Sequence, residues 1–295
     1  MRLAQLLTTA VACTLTLGAL SSIAHAQAWI RPAGEIYVNT SFTNLTGDQF
    51  YAPDKSVQDI ASTYTQSSVN LYAEAGLIDK RLQLTFSGEV FRRNELEGQG
   101  ATEGTGDLQA GLWVGLLQDG PIKLSAGLVV GLPTGDERPD AEGDDPVADD
   151  IARLLPTGDG EVDYEPRIIA GYGFGGGPWP LRHYVVGELG YAIRGEGIDD
   201  GIRYRLELGS QIARPGWDRF WLLTRLHGLE SFASDEEAGR GFSGLGQGVT
   251  HTSVGAELYG RVVDSFGISV GTDVPVRARN IIAGLPVRAS LSYTF

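Results

Sequence analysis

The chain has 295 residues, of which 42% are hydrophobic and 20% are charged, and its formal net charge is −14 at pH 7. This acidic balance argues against a nucleic-acid partner, because such binding depends on basic side chains that neutralise phosphates. Beyond the N-terminal region there is no run of about 18 apolar residues, which excludes a helical membrane protein.

Residues 1–26 have the features of a secretory signal peptide. Arg2 supplies a positive end, an apolar stretch follows, and Ala24-His25-Ala26 is a cleavage site of the small-x-small type. A retained membrane anchor is the alternative, but the cleavage site and the polar sequence after it favour removal. We therefore predict that residues 27–295 form one mature β-barrel domain. Cys13 is the only cysteine, so this domain has no disulfide and no cysteine metal site.

Alternation of apolar and polar residues dominates the chain after the signal, and it predicts strands with two different faces. In 107–117, for example, leucine, alanine and valine alternate with glutamine, glycine and tryptophan. A tilted strand of about 9–11 residues crosses the hydrocarbon layer of a membrane, whereas soluble strands usually have about five or six residues. The alternation predicts twelve mostly long strands, at 34–43, 63–76, 81–95, 104–117, 122–132, 161–174, 181–194, 200–213, 219–232, 249–262, 266–278 and 285–295.

The connections between these strands alternate in length. Tight turns lie on one side, and the longest loops, 44–62, 133–160 and 233–248, lie on the other. Bacterial outer-membrane barrels have this asymmetry, with short periplasmic turns and longer outer loops. We therefore predict an all-β fold, a transmembrane antiparallel up-and-down β-barrel of about 12 strands in a Gram-negative outer membrane. Fourteen strands are the alternative if loop 44–62 or loop 133–160 contains a hairpin.

The last predicted strand carries a further mark of this class. Apolar residues alternate with other residues from Leu285 to the terminal Phe295. A terminal aromatic residue on such a strand resembles the signal read by the barrel-assembly machinery of Gram-negative bacteria, so we predict that machinery as a partner. A soluble sandwich is the alternative fold, although sandwiches seldom contain twelve strands of this length.

Charged residues within the predicted strands lie opposite the apolar positions. A charge that faces lipid costs about 2–4 kcal/mol at the membrane midplane, so we expect these side chains to line the lumen. They are Arg81, Glu89, Glu165, Arg167, Glu188, Arg203, Arg205, Glu207, Arg225, Glu257, Arg261 and Asp273. Two hypotheses stay open. The side chains either line a water-filled pore or pair across strands into a polar core, and their mixed signs slightly favour pairing.

Segment 133–160 is strongly acidic and rich in proline and glycine. Its acidic residues are Asp136, Glu137, Asp140, Glu142, Asp144, Asp145, Asp149, Asp150 and Asp159. The simplest interpretation is a solvated outer loop. The alternative is divalent-cation binding by clustered carboxylates that bridge to lipopolysaccharide, although the spacing matches no EF-hand. A loop that folds inward would constrict the pore.

An outer-membrane lipid-modifying enzyme is a different hypothesis. His251 and Ser253 resemble part of the signature of outer-membrane phospholipase A, in which both residues share one strand face. Val254 stands where that family has asparagine, and alternation directs His251 and Ser253 into the lumen rather than towards lipid. His183 and His227 have no partners at metal-ligand spacing. We therefore predict no catalytic residue, no metal site and no cofactor.

Three short motifs carry a resemblance to a known family. Gly104-Thr105-Gly106-Asp107-Leu108 opens a strand, Leu132-Pro133-Thr134-Gly135-Asp136 closes the next, and Thr157-Gly158-Asp159-Gly160 leads into another. With these motifs the chain resembles the outer-membrane barrel family associated with the MetA pathway of phenol degradation, over roughly residues 100–190. The resemblance implies uptake of small, aromatic or hydrophobic molecules, but it carries over no binding residues. The same motifs also have the composition of turns.

These observations predict a barrel that gives porin-like passive passage to small-molecule solutes. A non-conducting barrel, closed by an internal arginine–glutamate network and having a structural or surface-interaction role, is the first alternative. The lipid-modifying enzyme is the second. Outer-membrane lipid, lipopolysaccharide and the barrel-assembly machinery are the expected partners.

Overall fold

A computed structural model describes residues 28–139, 151–176, 179–195, 197–212, 219–234 and 242–295. This part of the chain contains fourteen strands. They are β1 (Ile36–Tyr51), β2 (Val57–Ile78), β3 (Leu82–Leu96), β4 (Gly100–Gly104), β5 (Leu108–Leu117), β6 (Ile122–Leu132), β7 (Tyr164–Gly176), β8 (Trp179–Ala192), β9 (Gly201–Gln211), β10 (Phe220–Ser231), β11 (Thr250–Val263), β12 (Phe266–Arg279), β13 (Ile281–Ile282) and β14 (Val287–Thr294).

Twelve of the strands form a closed ring in which each strand is antiparallel to its neighbours. β1 pairs with β2 on one side and with β14 on the other, which closes the ring. The short strands β4 and β13 extend β5 and β14 and pair with the far ends of β3 and β1. The predicted twelve-stranded antiparallel barrel is thus confirmed. The two additional strands lengthen positions that β5 and β14 already occupy, so they do not add to the number of strands around the ring.

The two faces of the wall differ in polarity, as the alternation predicts. Large apolar side chains such as Leu112, Leu206 and Val270 are about half exposed on the outer face. Their neighbours along each strand are buried in the lumen and include many polar residues. An apolar outer face around a polar interior is the arrangement of a transmembrane barrel. No helix within the described ranges is long and apolar enough to cross a membrane.

The predicted loop at 44–62 is wrong. β1 continues to Tyr51 and β2 begins at Val57, so most of this segment is strand, with a tight turn at 52–56. The Asp54 side chain closes that turn by accepting hydrogen bonds from the Ser56 amide and hydroxyl. Alternation misses this extension because strands that project beyond the hydrocarbon layer carry polar residues on both faces.

A bulge in β3 changes which of its residues face the lumen. Val69 pairs with Phe91 and Asn70 pairs with Glu89, so Val90 is the additional residue. Alternate side chains keep to one face only while pairing is regular, and a bulge reverses the alternation beyond it. Arg92 and Asn94 are therefore buried in the lumen, whereas unbroken alternation along 81–95 would have directed Arg93 inward.

The two ends of the barrel are unlike. We call the end that carries the turns 79–81, 118–121 and 264–265 the short-turn end, and the first described residues also lie there. The opposite end carries the connections from β6 to β7, from β8 to β9 and from β10 to β11, and we call it the long-loop end. The predicted separation therefore holds for the short-turn end, whereas the long-loop end also carries the tight turn at 52–56 between β1 and β2.

Replacing Leu206 by arginine tests the assignment of the outer face. Leu206 lies at the middle of β9 and is 52% exposed, while Leu154 lies in a connection and is 50% exposed. An arginine at the midplane must leave water, so we expect Leu206→Arg to lower the free energy of unfolding in phospholipid vesicles by about 2–4 kcal/mol. Leu154→Arg should change it by less than about 0.5 kcal/mol. Equal effects in urea titrations would show that β9 does not face lipid.

Candidate functional site

Most of the charged residues predicted to line the lumen come together on one part of its inner wall. Glu165, Arg167, Glu188, Arg203, Arg205, Glu207, Arg225, Glu257, Arg261 and Asp273 lie on β7 to β12, and all are buried or half-buried. Glu89 is half-buried on β3. Arg81 differs, because it lies in the turn before β3 and is exposed. The predicted strand began at Arg81, one residue before β3 begins, so the prediction placed a turn residue on the wall.

Eight of these side chains form a row of ion pairs across five strands, which we call the ion-pair belt. On its first half, Arg203 lies 3.0 Å from Glu165. Arg167 contacts Glu165 and lies 3.1 Å from Glu188. Arg205 lies 2.9 Å from the other oxygen of Glu188. Acid and base therefore alternate along this series of contacts, and each of these charges has a partner of opposite sign.

The second half of the belt continues from β9 to β11. Arg225 lies 3.8 Å from Glu207 and 2.5 Å from Glu257. The Tyr184 hydroxyl donates a 2.8 Å hydrogen bond to Glu207. Burying an unpaired charge is costly in free energy. The pairing therefore explains how a narrow lumen holds so many charged side chains.

Beyond the belt, Asp273 joins three strands. It accepts a 2.8 Å bond from Arg288 on β14 and lies 3.0 Å from His227 Nε2 on β10. Arg288 was not among the predicted lumen residues, although it alternates with apolar residues in β14. Arg92 was also missed. It bonds Glu89 at 3.2 Å, and the bulge that turns it inward leaves no clear mark in the sequence.

The residues of the enzyme hypothesis face the lumen but form no catalytic arrangement. His251 and Ser253 both line the inner wall, and Ser253 is the cross-strand neighbour of His227. His227 uses Nε2 to contact Asp273, and Asp273 is also bound by Arg288. Among the described residues, no serine hydroxyl is hydrogen-bonded to His227 or His251. A nucleophile needs an oriented base within hydrogen-bond reach, so His227 is a member of the charge network here.

The described parts of the acidic loop fold over the long-loop end of the lumen. Leu155 is fully buried against Tyr64, Leu96 and Ile282, and its carbonyl accepts a hydrogen bond from Thr102. Asp136 and Glu137 lie at the start of the loop. Asp140, Glu142, Asp144, Asp145, Asp149 and Asp150 lie outside the described residues. The part of the loop around Leu155 therefore packs inward and covers this end of the lumen, and the loop also carries acidic residues.

Three carboxylates meet where this loop enters β7, and we call them the carboxylate cluster: Asp159, Glu161 and Asp163. Their oxygens lie within 4.8 Å of one another. Burial raises the pKa of Asp159 to about 6 and the pKa of Glu161 to about 8. The charge of Arg194 lowers both pKa values, but its effect is smaller than the effect of burial, and the neighbouring carboxylates add to the rise. Burial likewise raises the pKa of Asp163.

The lumen holds a cavity of about 480 Å³ towards the long-loop end. Its wall includes the carboxylate cluster, Arg203 and Asp273, and also apolar side chains such as Leu132 and Phe242. A second cavity of about 270 Å³ lies along the ion-pair belt and shares several of the same wall residues. The two cavities therefore adjoin one another between the long-loop end and the belt.

The short-turn end of the lumen is filled by residues 28–31, which we call the N-terminal segment. The segment crosses the lumen from β2 and β3, where Arg31 pairs with Glu74 and its amide bonds Gln83, to β6, where Ser125 bonds the Ala28 carbonyl. Between them, Gln118 accepts from the Ile30 amide and donates to the Ala28 carbonyl. Sequence alternation made no prediction for these residues, because they belong to no strand.

Apolar side chains from the wall complete this closure. Ala28 and Ile30 are buried in one cluster that also contains Trp113, Tyr184 and Trp221. Trp29 packs edge-on against Tyr184, with ring centroids 6.0 Å apart. The aromatic and aliphatic residues here point into the lumen rather than towards lipid. The N-terminal segment and this cluster together separate the belt from the short-turn end.

Comparisons with known proteins support the fold. No family model and no curated protein matches the chain. Among solved structures, a COG4313 outer membrane channel from Pseudomonas putida F1 is similar over 91% of this chain and 98% of its own, with 17% identity and a TM-score of 0.65. The NanC porin (9% identity, 86% and 98% coverage, TM-score 0.49) and the β domain of the Bordetella autotransporter BrkA (15%, 89% and 100%, 0.49) are more distant.

The ion-pair belt makes a direct prediction about stability. Glu165 is 1% exposed and neutralises Arg203 and Arg167, so Glu165→Gln leaves buried positive charge without its partner. We expect the variant to lose about 3–5 kcal/mol of unfolding free energy. The control is Glu230→Gln, whose pair with Arg277 is largely exposed, and we expect a loss below about 1 kcal/mol there. If the two losses in urea titrations are alike, the belt does not stabilise the wall as described.

Proposed function

We propose that this chain is an outer-membrane channel for small molecules and that the N-terminal segment holds it shut at its periplasmic end. One observation carries the proposal. The polar cavities of the lumen are separated from the short-turn end by a short chain segment that is held only by hydrogen bonds, the two ion pairs of Arg31 and packing. Such a segment can leave the lumen without breaking the hydrogen-bonded wall.

The predicted signal peptide and the wall geometry support the location. Cleavage after Ala26 would deliver the chain to the envelope, with Ala28 close to the new terminus. Short turns are periplasmic in bacterial barrels, which puts the N-terminal segment on the periplasmic side. The solved channel from Pseudomonas putida has the same fold, and this similarity adds support for a channel.

The cavity lining supports small solutes with an apolar part. Its volume of about 480 Å³ lies in the range of about 300–1,000 Å³ that small-molecule sites occupy. Leu45, Leu132, Leu229 and Phe242 provide apolar surface beside the charged residues. This mixture suits the aromatic or hydrophobic molecules implied by the resemblance to the family associated with the MetA pathway.

A non-conducting barrel is the second candidate, and the ion-pair belt is the observation that favours it. Paired charges rigidify a wall without needing an open lumen. In either case, outer-membrane lipid and lipopolysaccharide would surround the wall. The exposed aromatic side chain of Phe295, at the end of the closing strand, would be available to the assembly machinery.

Single-channel conductance in planar bilayers distinguishes the two candidates. We expect low conductance from the mature chain, and a conductance several times larger from Trp29→Ala and from a chain that starts at Pro32, because both remove the seal. Arg31→Ala removes the buried pair with Glu74 and should also raise the conductance. Deletion of residues 136–156 should enlarge the current if the acidic loop also constricts the lumen.

Arg277→Ala and Phe232→Ala are the matched controls, because both side chains are exposed outside the lumen. Their conductance should equal that of the unchanged protein. Folding of every variant is checked by heat-modifiable gel mobility. Silence from the folded chain that starts at Pro32 would exclude the channel and favour the non-conducting barrel.

A further inference from the structure

The carboxylate cluster carries more negative charge than its surroundings neutralise. Arg194 lies 2.6 Å from Asp159 and 3.6 Å from Asp163, and it also contacts Glu161. Three carboxylates beside one guanidinium leave two negative charges when all are ionised. The pairing in the belt is more even, because there acids and bases alternate.

Glu161 is the member that has an ion-pair contact, with Arg194, but no hydrogen bond within the described part of the chain. Its side chain is completely buried, yet neither carboxylate oxygen forms a hydrogen bond with any described residue. Arg194 lies close to one of these oxygens, but the contact does not have hydrogen-bond geometry, and Arg194 Nε is itself without a hydrogen bond. Buried carboxylates normally have hydrogen-bond donors or a bound cation around them. Glu161 therefore points to a ligand inside the cluster.

The backbone fixes the cluster in place before any ligand arrives. Asp107 accepts hydrogen bonds from the amides of Gly135 and Asp159, at 3.0 Å and 2.8 Å, and so ties the two ends of the acidic loop together. The Asp163 carbonyl accepts a 2.9 Å bond from the Gly131 amide in β6. These hydrogen bonds hold the backbone on which the ligand atoms are carried. Gly160, with φ of 78°, makes the turn between Asp159 and Glu161.

The distances between the oxygens suit a hard divalent cation. Ca²⁺ binds carboxylate and carbonyl oxygens at about 2.3–2.6 Å, so two of its ligands lie up to about 5 Å apart. The cluster oxygens lie within 4.8 Å of one another. The two positive charges of the ion match the two negative charges that Arg194 leaves.

We propose that Asp159, Glu161 and Asp163 bind a divalent cation of the Ca²⁺ type at the long-loop end of the lumen. The ion joins the acidic loop to the wall beside the β8–β9 connection, where Arg194 and Asp200 are hydrogen-bonded. It also removes negative charge from the wall of the larger cavity. The site is independent of whether the barrel conducts.

Calcium titration of the folded mature chain, freed of metal by a chelator, tests the proposal. Isothermal titration calorimetry should give one saturable Ca²⁺ site per chain, and the thermal unfolding midpoint should rise as Ca²⁺ is added. Glu161→Gln and Asp163→Asn should each weaken binding at least about tenfold, because each removes one ligand charge. Mg²⁺ should bind more weakly, because it demands a stricter octahedral geometry.

Two controls separate the cluster from the other acidic residues. Glu103→Gln changes an exposed acid at the same end of the barrel, and deletion of residues 140–150 removes acids of the same loop. Both proteins should keep the affinity of the unchanged chain. The proposal is overturned if no saturable binding occurs, or if the deletion abolishes binding while folded Glu161→Gln and Asp163→Asn retain it.

Discussion

Closure of the strand ring is the constraint on which the other features depend. A backbone that crosses a membrane must satisfy its hydrogen bonds internally, and a closed antiparallel ring does so without leaving an edge. The ring then sends alternate side chains outward to lipid and inward to a lumen of fixed width. Twelve strands leave an interior in which side chains from opposite walls approach one another, so the inward residues must be mutually compatible.

The side chains that face the lumen are compatible with one another for different reasons at different positions along the axis. At the short-turn end, aromatic and aliphatic side chains pack around the N-terminal segment, and the interior there resembles the core of a soluble protein. In the middle, acids and bases alternate across β7 to β11, so that buried charge is neutralised locally. At the long-loop end the charges are less evenly matched, and the lumen holds both a cavity and the carboxylate cluster. The apolar cluster with the N-terminal segment, the ion-pair belt and the larger cavity therefore follow one another along the axis.

The sequence predicts what depends on alternation and misses what depends on register or on tertiary contact. The strand at 122–132 coincides with β6, because regular alternation there has no interruption. β3 was misread beyond Val90, since one additional residue reverses the faces and carries no strong sequence signal. Arg203 on β9 pairs with Glu165 on β7, across β8. This ion pair therefore depends on the register of β8 with both of its neighbours.

The N-terminal segment was beyond prediction for a different reason. Ala28 and Ile30 are apolar residues in a stretch where apolar and polar residues do not alternate. Only the folded ring creates the apolar pocket in which they are buried. Likewise, Asp159 was predicted as one acid among many in a solvated loop. Asp159, Glu161 and Asp163 stand at every second position, which is a signal in the sequence that they share one face. That spacing does not show that the fold brings their oxygens within 4.8 Å of one another.

Thiol labelling of two single-cysteine variants tests most directly whether the N-terminal segment seals the lumen. The predicted mature chain has no cysteine of its own, so Ser253→Cys reports on the larger cavity and Ser125→Cys reports on the sealed end. With a membrane-impermeant maleimide added at the long-loop side, Ser253→Cys should react and Ser125→Cys should not, whereas Ser125→Cys combined with Trp29→Ala should become reactive. If Ser125→Cys reacts as fast as Ser253→Cys while Trp29 is intact, the segment is not a seal.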